Sequence, residues 1–327
     1  MVADIRSFAI GKKCERGLIF NRKQNGGNRS LFQYSDIKLE DISFFERYWK
    51  ITNQRASDYS FPILWGWACD YGYRTAREDD KDLLWIRQTL PRDYDLAPLG
   101  NWERTDWADV IRERFGNEPE FWLVPEKLLE IWKDQLGEKL EAEDMRGSWE
   151  YLYDIRDLAM LPGNRYMKKR NRVNHFRRNY DYLFRPITQE IIPEVMEFQL
   201  AWCQANNGCT DKGLLQENHG ILRILSNWES IPRIVGGVIE VSGKVAAYTI
   251  AELACNTILV HFEKASLEYG AAYQVINKEF MCRMLQEHPE LAVVNREEDM
   301  NDPGLREAKM SYLPTDFIKK YRVRIKF

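Results

Sequence analysis

The chain has 327 residues, of which 44% are hydrophobic and 30% are charged, and its formal net charge is −3. Because single hydrophobic cores stop growing at roughly 250–300 residues, this length predicts two lobes. The near-neutral balance excludes a protein that binds nucleic acid or anionic membranes through its net charge alone. Any such binding would depend on a local basic patch.

The most apolar stretches, such as residues 234–241, fall far short of the roughly 20 residues that span a bilayer, and the N-terminus lacks a secretory leader. A cytoplasmic location is therefore expected. The six cysteines form no CxxC pair, which favours reduced thiols, and the four histidines show no metal-ligand spacing, so no metal is expected.

Residues 1–31 are rich in lysine and arginine and predict a basic N-terminal arm that is partly disordered. Residues 32–164 then alternate between two kinds of pattern and predict a first α/β lobe. The helical patterns cover residues 39–53, 107–115 and 126–135, and the strand patterns cover residues 83–86, 120–124 and 149–153.

Residues 165–327 predict a second lobe. Helical patterns at 191–205 and 216–228 precede strands at 234–241, 245–253 and 257–263, a helix at 271–285, a strand at 292–295, a helix capped by Asp302 and a terminal strand at 321–327. This order is similar to that of the N-acetyltransferase (GNAT-like) superfamily. The predicted fold class is α/β with mixed sheets, as two tandem GNAT-like lobes of the acyl-CoA N-acyltransferase type with a cleft between them.

A basic segment, residues 165–178, opens the second lobe with seven Lys or Arg residues and no acid. As a helix it places Tyr166, Val173, Phe176 and Tyr180 on one apolar stripe and leaves cations on its other faces. Helices that only face water usually mix charge signs, so the absence of acids makes phosphate binding a hypothesis for this segment. A solvated helix that links the lobes is the alternative.

A second candidate site is the strand around residues 261–265. Alternation puts His261 and Glu263 on one face and Phe262 and Lys264 on the other. An imidazole beside a carboxylate can serve as an acid–base pair. The alternative is a buried structural histidine with a Glu263–Lys264 ion pair at the end of the strand.

The loop after this strand bears on the cofactor. Acetyl-coenzyme A-dependent enzymes of the superfamily usually carry Arg/Gln-x-x-Gly-x-Gly/Ala there. Gly270 and Ala272 fit, but Leu267 replaces the polar residue and Glu268 adds negative charge. Coenzyme A is therefore possible but disfavoured, and no other cofactor is expected.

Several motifs follow one another from about Leu31 to the end of the chain. They include Ser57-Asp-Tyr-Ser-Phe-Pro-Ile-Leu-Trp65, Lys168-Lys-Arg-Asn-Arg-Val-Asn174, His261-Phe-Glu-Lys-Ala265, Asn295-Arg-Glu-Glu-Asp299 and Gly304-Leu-Arg-Glu-Ala-Lys-Met-Ser-Tyr312. Together they resemble the family of the C-terminal domain of phosphatidylglycerol lysyltransferase. Taken alone, the acid-rich run at 295–302 has no regular metal-ligand spacing and favours helix capping and a solvated loop, with an amine or metal site as the alternative.

The resemblance implies transfer of an aminoacyl group from a tRNA to an acceptor, which is a lipid headgroup, a small molecule or a peptide. It implies catalytic roles for Glu263 and His261 as proton relays and for Lys309 and Tyr312 as oxyanion donors. The substrate-binding residues that it implies are Lys168, Lys169, Arg170, Asn171, Asn174, Lys264, Gln274, Asn277, Asn295, Glu298 and Asp299, of which the last two would pair with the amino group.

Three functions are therefore compatible with the sequence. The favoured one is an aminoacyl transferase that uses aminoacyl-tRNA or another phosphate-bearing activated donor. The alternatives are a coenzyme A-dependent N-acyltransferase and a non-catalytic RNA- or nucleotide-binding protein of the same fold.

Overall fold

The computed structural model describes residues 33–206 and 210–327, so the basic arm predicted for residues 1–31 lies outside the described residues. The chain divides into two compact units. The first comprises residues up to Gln54 with Asp58–Met145 and Lys320–Phe327, and the second comprises Arg55–Ser57 and Arg146–Lys319. The division falls at Met145, whereas the sequence placed it at residue 164, and the last strand belongs to the first unit.

The first unit holds one mixed sheet. Its helices are α1 (Ile42–Thr52), α2 (Phe61–Gly66), α3 (Ala68–Tyr71), α4 (Trp107–Phe115) and α5 (Glu126–Leu136). Its strands are β1 (Ser35–Asp36), β2 (Arg74–Glu78), β3 (Leu83–Gln88), β4 (Tyr94–Leu96), β5 (Leu99–Gly100), β6 (Glu120–Pro125), β7 (Leu140–Asp144) and, at the C-terminus, β15 (Lys320–Ile325). The strand order is β1-β2-β3-β4-β6-β15-β7, with β5 paired to β3, and only the β4–β6 pair is parallel among these strands.

The second unit holds a seven-stranded sheet. Its strands are β8 (Glu150–Asp154), β9 (Tyr182–Pro186), β10 (Ile234–Val241), β11 (Lys244–Ala254), β12 (Thr257–Ala265), β13 (Val293–Asn295) and β14 (Asp316–Ile318). Their order is β14-β8-β13-β12-β11-β10-β9, in which only β12 and β13 run parallel. The helices are α6 (Ile155–Met160), α7 (Met167–Asn179), α8 (Ile192–Ala205), α9 (Lys212–Ser226), α10 (Ala272–Glu287) and α11 (Pro303–Met310).

The helix α7 follows the predicted amphipathic pattern. Tyr166, Val173 and Phe176 are at most 1% exposed and join the core that α6, α7 and α10 form with the sheet. The cation-bearing positions Lys168 and Arg172 are exposed. The prediction of one docked stripe and one charged face is therefore confirmed.

A β-bulge interrupts the strand β12. Phe262 pairs with Ile250 and Val260 pairs with Ala251, so His261 has no residue opposite it on β11. Such a bulge adds one residue to one strand and re-aims its side chains. His261 and Glu263 contact different partners, Glu297 and Arg296, so they do not form the acid–base pair that the sequence suggested.

The described residues also bear on the predictions about the cysteines and about membrane-spanning segments. Among the described cysteines, Cys203, Cys255 and Cys282 are reduced thiols, as predicted, whereas Cys69 is disulfide-bonded, so the prediction was wrong for Cys69. Over the described ranges, no helix combines the length and apolarity needed to cross a membrane.

Candidate active site

A cavity of about 370 Å³ lies in the second unit. It is lined by Asn171, Arg172 and His175 from α7 and by Gly270, Ala271 and Gln274 at the start of α10. Ala271 is the N-cap of α10 in a left-handed conformation, and no side chain caps this helix end. Because the positive end of the helix dipole adds to two basic side chains, the cavity suits an anion such as a phosphate.

Glu263 lies near the end of β12, beside the same helix. Its Oε1 accepts a hydrogen bond from Arg296 Nη2 at 3.0 Å, and its Oε2 accepts one from Asn277 Nδ2 at 3.4 Å. The side chains of Glu263 and Arg296 are only 10% and 15% exposed. Asn277 follows Gln274, which lines the cavity, by about one turn of α10.

The ring of Tyr312 lies against two cations. Lys169 Nζ is 4.0 Å from the ring centroid, and Arg296 Cζ is 5.0 Å from it. Burial raises the pKa of Tyr312 to about 12, so its hydroxyl stays protonated at neutral pH. Burial, together with Arg172 and Arg296, lowers the pKa of Lys169 to about 8. An anion placed here would relieve the repulsion among these cations.

The side chain of His261 is fully buried. Its ring has no exposed surface, Nδ1 lies 2.8 Å from Glu297 Oε1, and Nε2 lies 3.5 Å from Glu252 Oε2. Burial opposes the charged form, but the carboxylates of Glu252 and Glu297 on either side of the ring outweigh burial and raise the pKa of His261 to about 9. A fully enclosed imidazolium does not contact a substrate in this structure, so the geometry does not favour a proton relay through His261.

Lys309 holds the loop that follows β13. Its Nζ donates to the carbonyl oxygens of Arg296 and Glu297. Burial and the nearby Arg296 lower its pKa. Since its ammonium is directed to backbone oxygens, Lys309 supports the loop that presents Arg296 and is not directed at a substrate.

The polar groups of Asp299 and Asn295 form hydrogen bonds within the protein. Both are fully buried, and Asp299 accepts hydrogen bonds from Arg306, Arg146 and Tyr151. Burial would raise the pKa of Asp299, but the bonds from Arg306 and Tyr151 hold it well below its usual range. Asn295 donates to the Arg55 carbonyl and to Glu150 and accepts from the Glu297 amide. Glu298 is half-buried in the same loop.

The other predicted residues lie on α7 or on the strand β12. Lys168, Asn171 and Asn174 are exposed on α7, while Arg170 donates to the carbonyls of Leu161 and Gly163. Lys264 is buried, 2.6 Å from Glu217 and 4.4 Å from the ring centroid of Trp202. These contacts give Arg170 and Lys264 structural roles.

The structure thus gathers one part of the predicted set around the cavity and Tyr312. The members are Lys169, Asn171, Glu263, Gln274, Asn277 and Tyr312. The prediction missed Arg296, which contacts both Glu263 and Tyr312. The sequence signal was its position inside the motif at 295–299, but nothing local linked it to a carboxylate 33 residues earlier.

Three known proteins show what the chain is similar to. An uncharacterized protein of Mycoplasmoides gallisepticum is 24% identical over 186 residues, which is 54% of this chain and only 56% of that protein. A conserved protein of unknown function from Bacteroides thetaiotaomicron is 29% identical, with a TM-score of 0.79 over 90% of this chain and 100% of that chain. The C-terminal domain of a putative lysylphosphatidylglycerol synthetase from Agrobacterium fabrum is 14% identical, with a TM-score of 0.60 over 87% of this chain and 92% of that chain.

The two structural matches confirm the predicted fold of mixed α/β sheets. The predicted family is also confirmed, because residues 49–324 match the family described as "Phosphatidylglycerol lysyltransferase, C-terminal". Since this match covers most of the 327 residues, the chain belongs to that family.

Proposed function

We propose that the protein transfers an aminoacyl group from an aminoacyl-tRNA, or from another phosphate-bearing activated donor, to an acceptor. The observation that carries the proposal is the cavity between α7 and the uncapped start of α10, lined by Arg172 and His175. It offers an anion site beside the Glu263–Arg296–Tyr312 cluster, to which Arg172 is coupled electrostatically. An aminoacyl-tRNA carries both a phosphate, which the cavity would bind, and an ester, which the Glu263–Arg296–Tyr312 cluster would bind.

The chemistry needs mainly positioning, because a tRNA ester is already activated. The acceptor's nucleophilic atom attacks the ester carbonyl, the ester C–O bond breaks, and the acceptor's proton ends on the tRNA hydroxyl. Tyr312, whose hydroxyl stays protonated, and the cation of Arg296 stabilise the oxyanion.

The acceptor is a lipid headgroup, a small molecule or a peptide amine. The family's description favours a phosphatidylglycerol-like headgroup. Coenzyme A remains the disfavoured donor, since Leu267 is 82% exposed at the position where related loops carry a polar residue and Glu268 brings negative charge to the same loop. The protein is therefore proposed to work without a cofactor.

Binding of bulk tRNA, titrated with salt, tests the proposal. Arg172→Gln and His175→Gln should weaken binding, and the loss of the Arg172 phosphate contact should lower the salt slope by about 1. Arg283→Gln is the matched control, because Arg283 lies near the other end of α10 in an exposed pair with Glu287. No tRNA binding at low salt would rule out this donor.

A second measurement separates the coenzyme A alternative. Acetyl-coenzyme A at about 100 times its dissociation constant would stabilise the fold by about 2.7 kcal/mol. We expect no such shift in the melting temperature. A clear shift that Arg172→Gln removes would favour the N-acyltransferase function.

A further inference from the structure

Asn277 has a buried acceptor with no donor. The residue is only 1% exposed, and its Nδ2 donates to Glu263 Oε2 at 3.4 Å. Within the described part of the chain, its Oδ1 finds no hydrogen-bond partner. A buried acceptor without a donor destabilises the folded protein, and a bound ligand that supplies the donor would remove this cost.

The position of Asn277 relates it to the cavity. Gln274 lines the cavity, and Asn277 follows it by three residues, so the two are neighbours on the surface of α10. At 1.5 Å per residue, Asn277 lies about 9 Å along the axis from Ala271. In an aminoacyl-tRNA, the amine and the phosphate of the terminal nucleotide are separated by one ribose and one ester, a spacing of the same order.

The chemistry of the two acceptors narrows the ligand further. Arg296 occupies Oε1 of Glu263, which leaves Oε2 as the oxygen that faces Asn277. Among the groups that an aminoacyl-tRNA carries at this end, a ribose hydroxyl has one hydrogen and satisfies only one of the two acceptors. The primary amine has enough hydrogens to donate to both, whatever side chain the amino acid carries.

We infer that Asn277 Oδ1 and Glu263 Oε2 bind the primary amine of the aminoacyl group that is transferred. This inference rests on the proposed function and adds what the site recognises at the acyl end of the donor. It also moves amine recognition away from Asp299, whose oxygens are already taken by Arg306, Arg146 and Tyr151. Donors with a blocked amine should be rejected.

The test compares three forms of the same bulk tRNA: charged with a mixture of amino acids, charged and then N-acetylated, and discharged. The wild-type protein should bind the charged form about tenfold more tightly than the discharged form, while the N-acetylated form should show no advantage. Asn277→Leu should lose this preference but keep the affinity for discharged tRNA. Gln286→Leu is the control, since Gln286 is exposed on the same helix.

Each outcome decides the matter. Equal binding of all three forms by the wild-type protein overturns the inference and leaves the proposed function standing, and this comparison needs no variant to fold. A preference that survives in Asn277→Leu, with an unchanged melting temperature, also overturns it. If no form of tRNA binds at low salt, the proposed function itself fails and the inference falls with it.

Discussion

The carboxylate of Glu263 lies 3.0 Å from the guanidinium of Arg296. The pair joins the end of β12 to the loop after β13, and it also sets Arg296 over the ring of Tyr312. Both side chains are largely removed from water, so each charge depends on the other. This pair is therefore the centre of the candidate site in structural as well as chemical terms.

Removing the charge of Glu263 alone from the Glu263–Arg296 pair should destabilise the second unit. Glu263→Gln leaves the Arg296 cation poorly exposed and without its carboxylate, and removing one partner of a buried pair costs about 3 kcal/mol or more. Urea unfolding measures the loss. The double variant Glu263→Gln/Arg296→Met should lose less than the sum of the single variants. Glu287→Gln, which breaks an exposed pair with Arg283, should cost under about 0.5 kcal/mol. If Glu263→Gln lowers the free energy of unfolding no more than Glu287→Gln does, the ion pair with Arg296 does not stabilise the second unit.

The buried imidazolium of His261 predicts a pH-dependent contribution to stability. Its pKa rises from 6.5 to about 9 in the folded state because Glu252 and Glu297 flank it, with Arg233 on the other oxygen of Glu252. Its stabilisation is thus fully present below pH 6.5 and is lost as pH rises through 9, with a total of the order of 3 kcal/mol.

The measurement for His261 is the difference in unfolding free energy between the wild-type protein and His261→Gln. The difference should be largest at pH 6 and should shrink by pH 9.5. Because both proteins contain Lys169, the titration of that residue cancels in the difference. A difference that stays constant across this range would show that His261 is neutral in the folded protein.

Much of the second unit's secondary structure was predictable because its signals are local. Contiguous apolar runs marked β10, β11 and β12, and the Asp302-Pro303 pair marked the start of α11, where Asp302 Oδ1 accepts from the Leu305 amide at 2.7 Å. The strand β7 was missed, because its mostly exposed residues carry no apolar alternation. The place of β15 in the first sheet was also missed, since pairing with β6 and β7 is not encoded in its own residues.

The site was only partly predictable for a similar reason. The motif that contains Glu263 and the one that contains Tyr312 are visible in the sequence, but their shared neighbour Arg296 is defined by tertiary contact alone. His261 was taken for a relay because alternation assigns it to the face of Glu263. The bulge that buries it has no sequence signature of its own.

Asp299 should prove to be a structural residue. Asp299→Asn removes the charge that three donors share and should cost about 3 kcal/mol at neutral pH, while leaving the affinity for bulk tRNA unchanged in the folded fraction. Because the pKa of Asp299 is depressed, its stabilisation is present above pH 4 and is lost as the pH falls further. Asp302→Asn is the control, since asparagine caps a helix about as well as aspartate. A loss of tRNA affinity without a loss of stability would show that Asp299 takes part in donor binding.

Lys169 should make donor binding depend on pH. Its ammonium donates to Ser311 Oγ at 2.6 Å and faces Tyr312, Arg172 and Arg296, and its pKa of about 8 means that the cation is lost as the pH rises from 7 to 9. The affinity for bulk tRNA at constant ionic strength should fall roughly fivefold, or about 1 kcal/mol, over this range. Lys169→Arg should remove the dependence, because a guanidinium keeps its charge throughout. Lys168→Arg, at an exposed position on the same helix, should retain it. A fall of equal size in Lys169→Arg would assign the pH dependence to another group and separate Lys169 from the donor's phosphates.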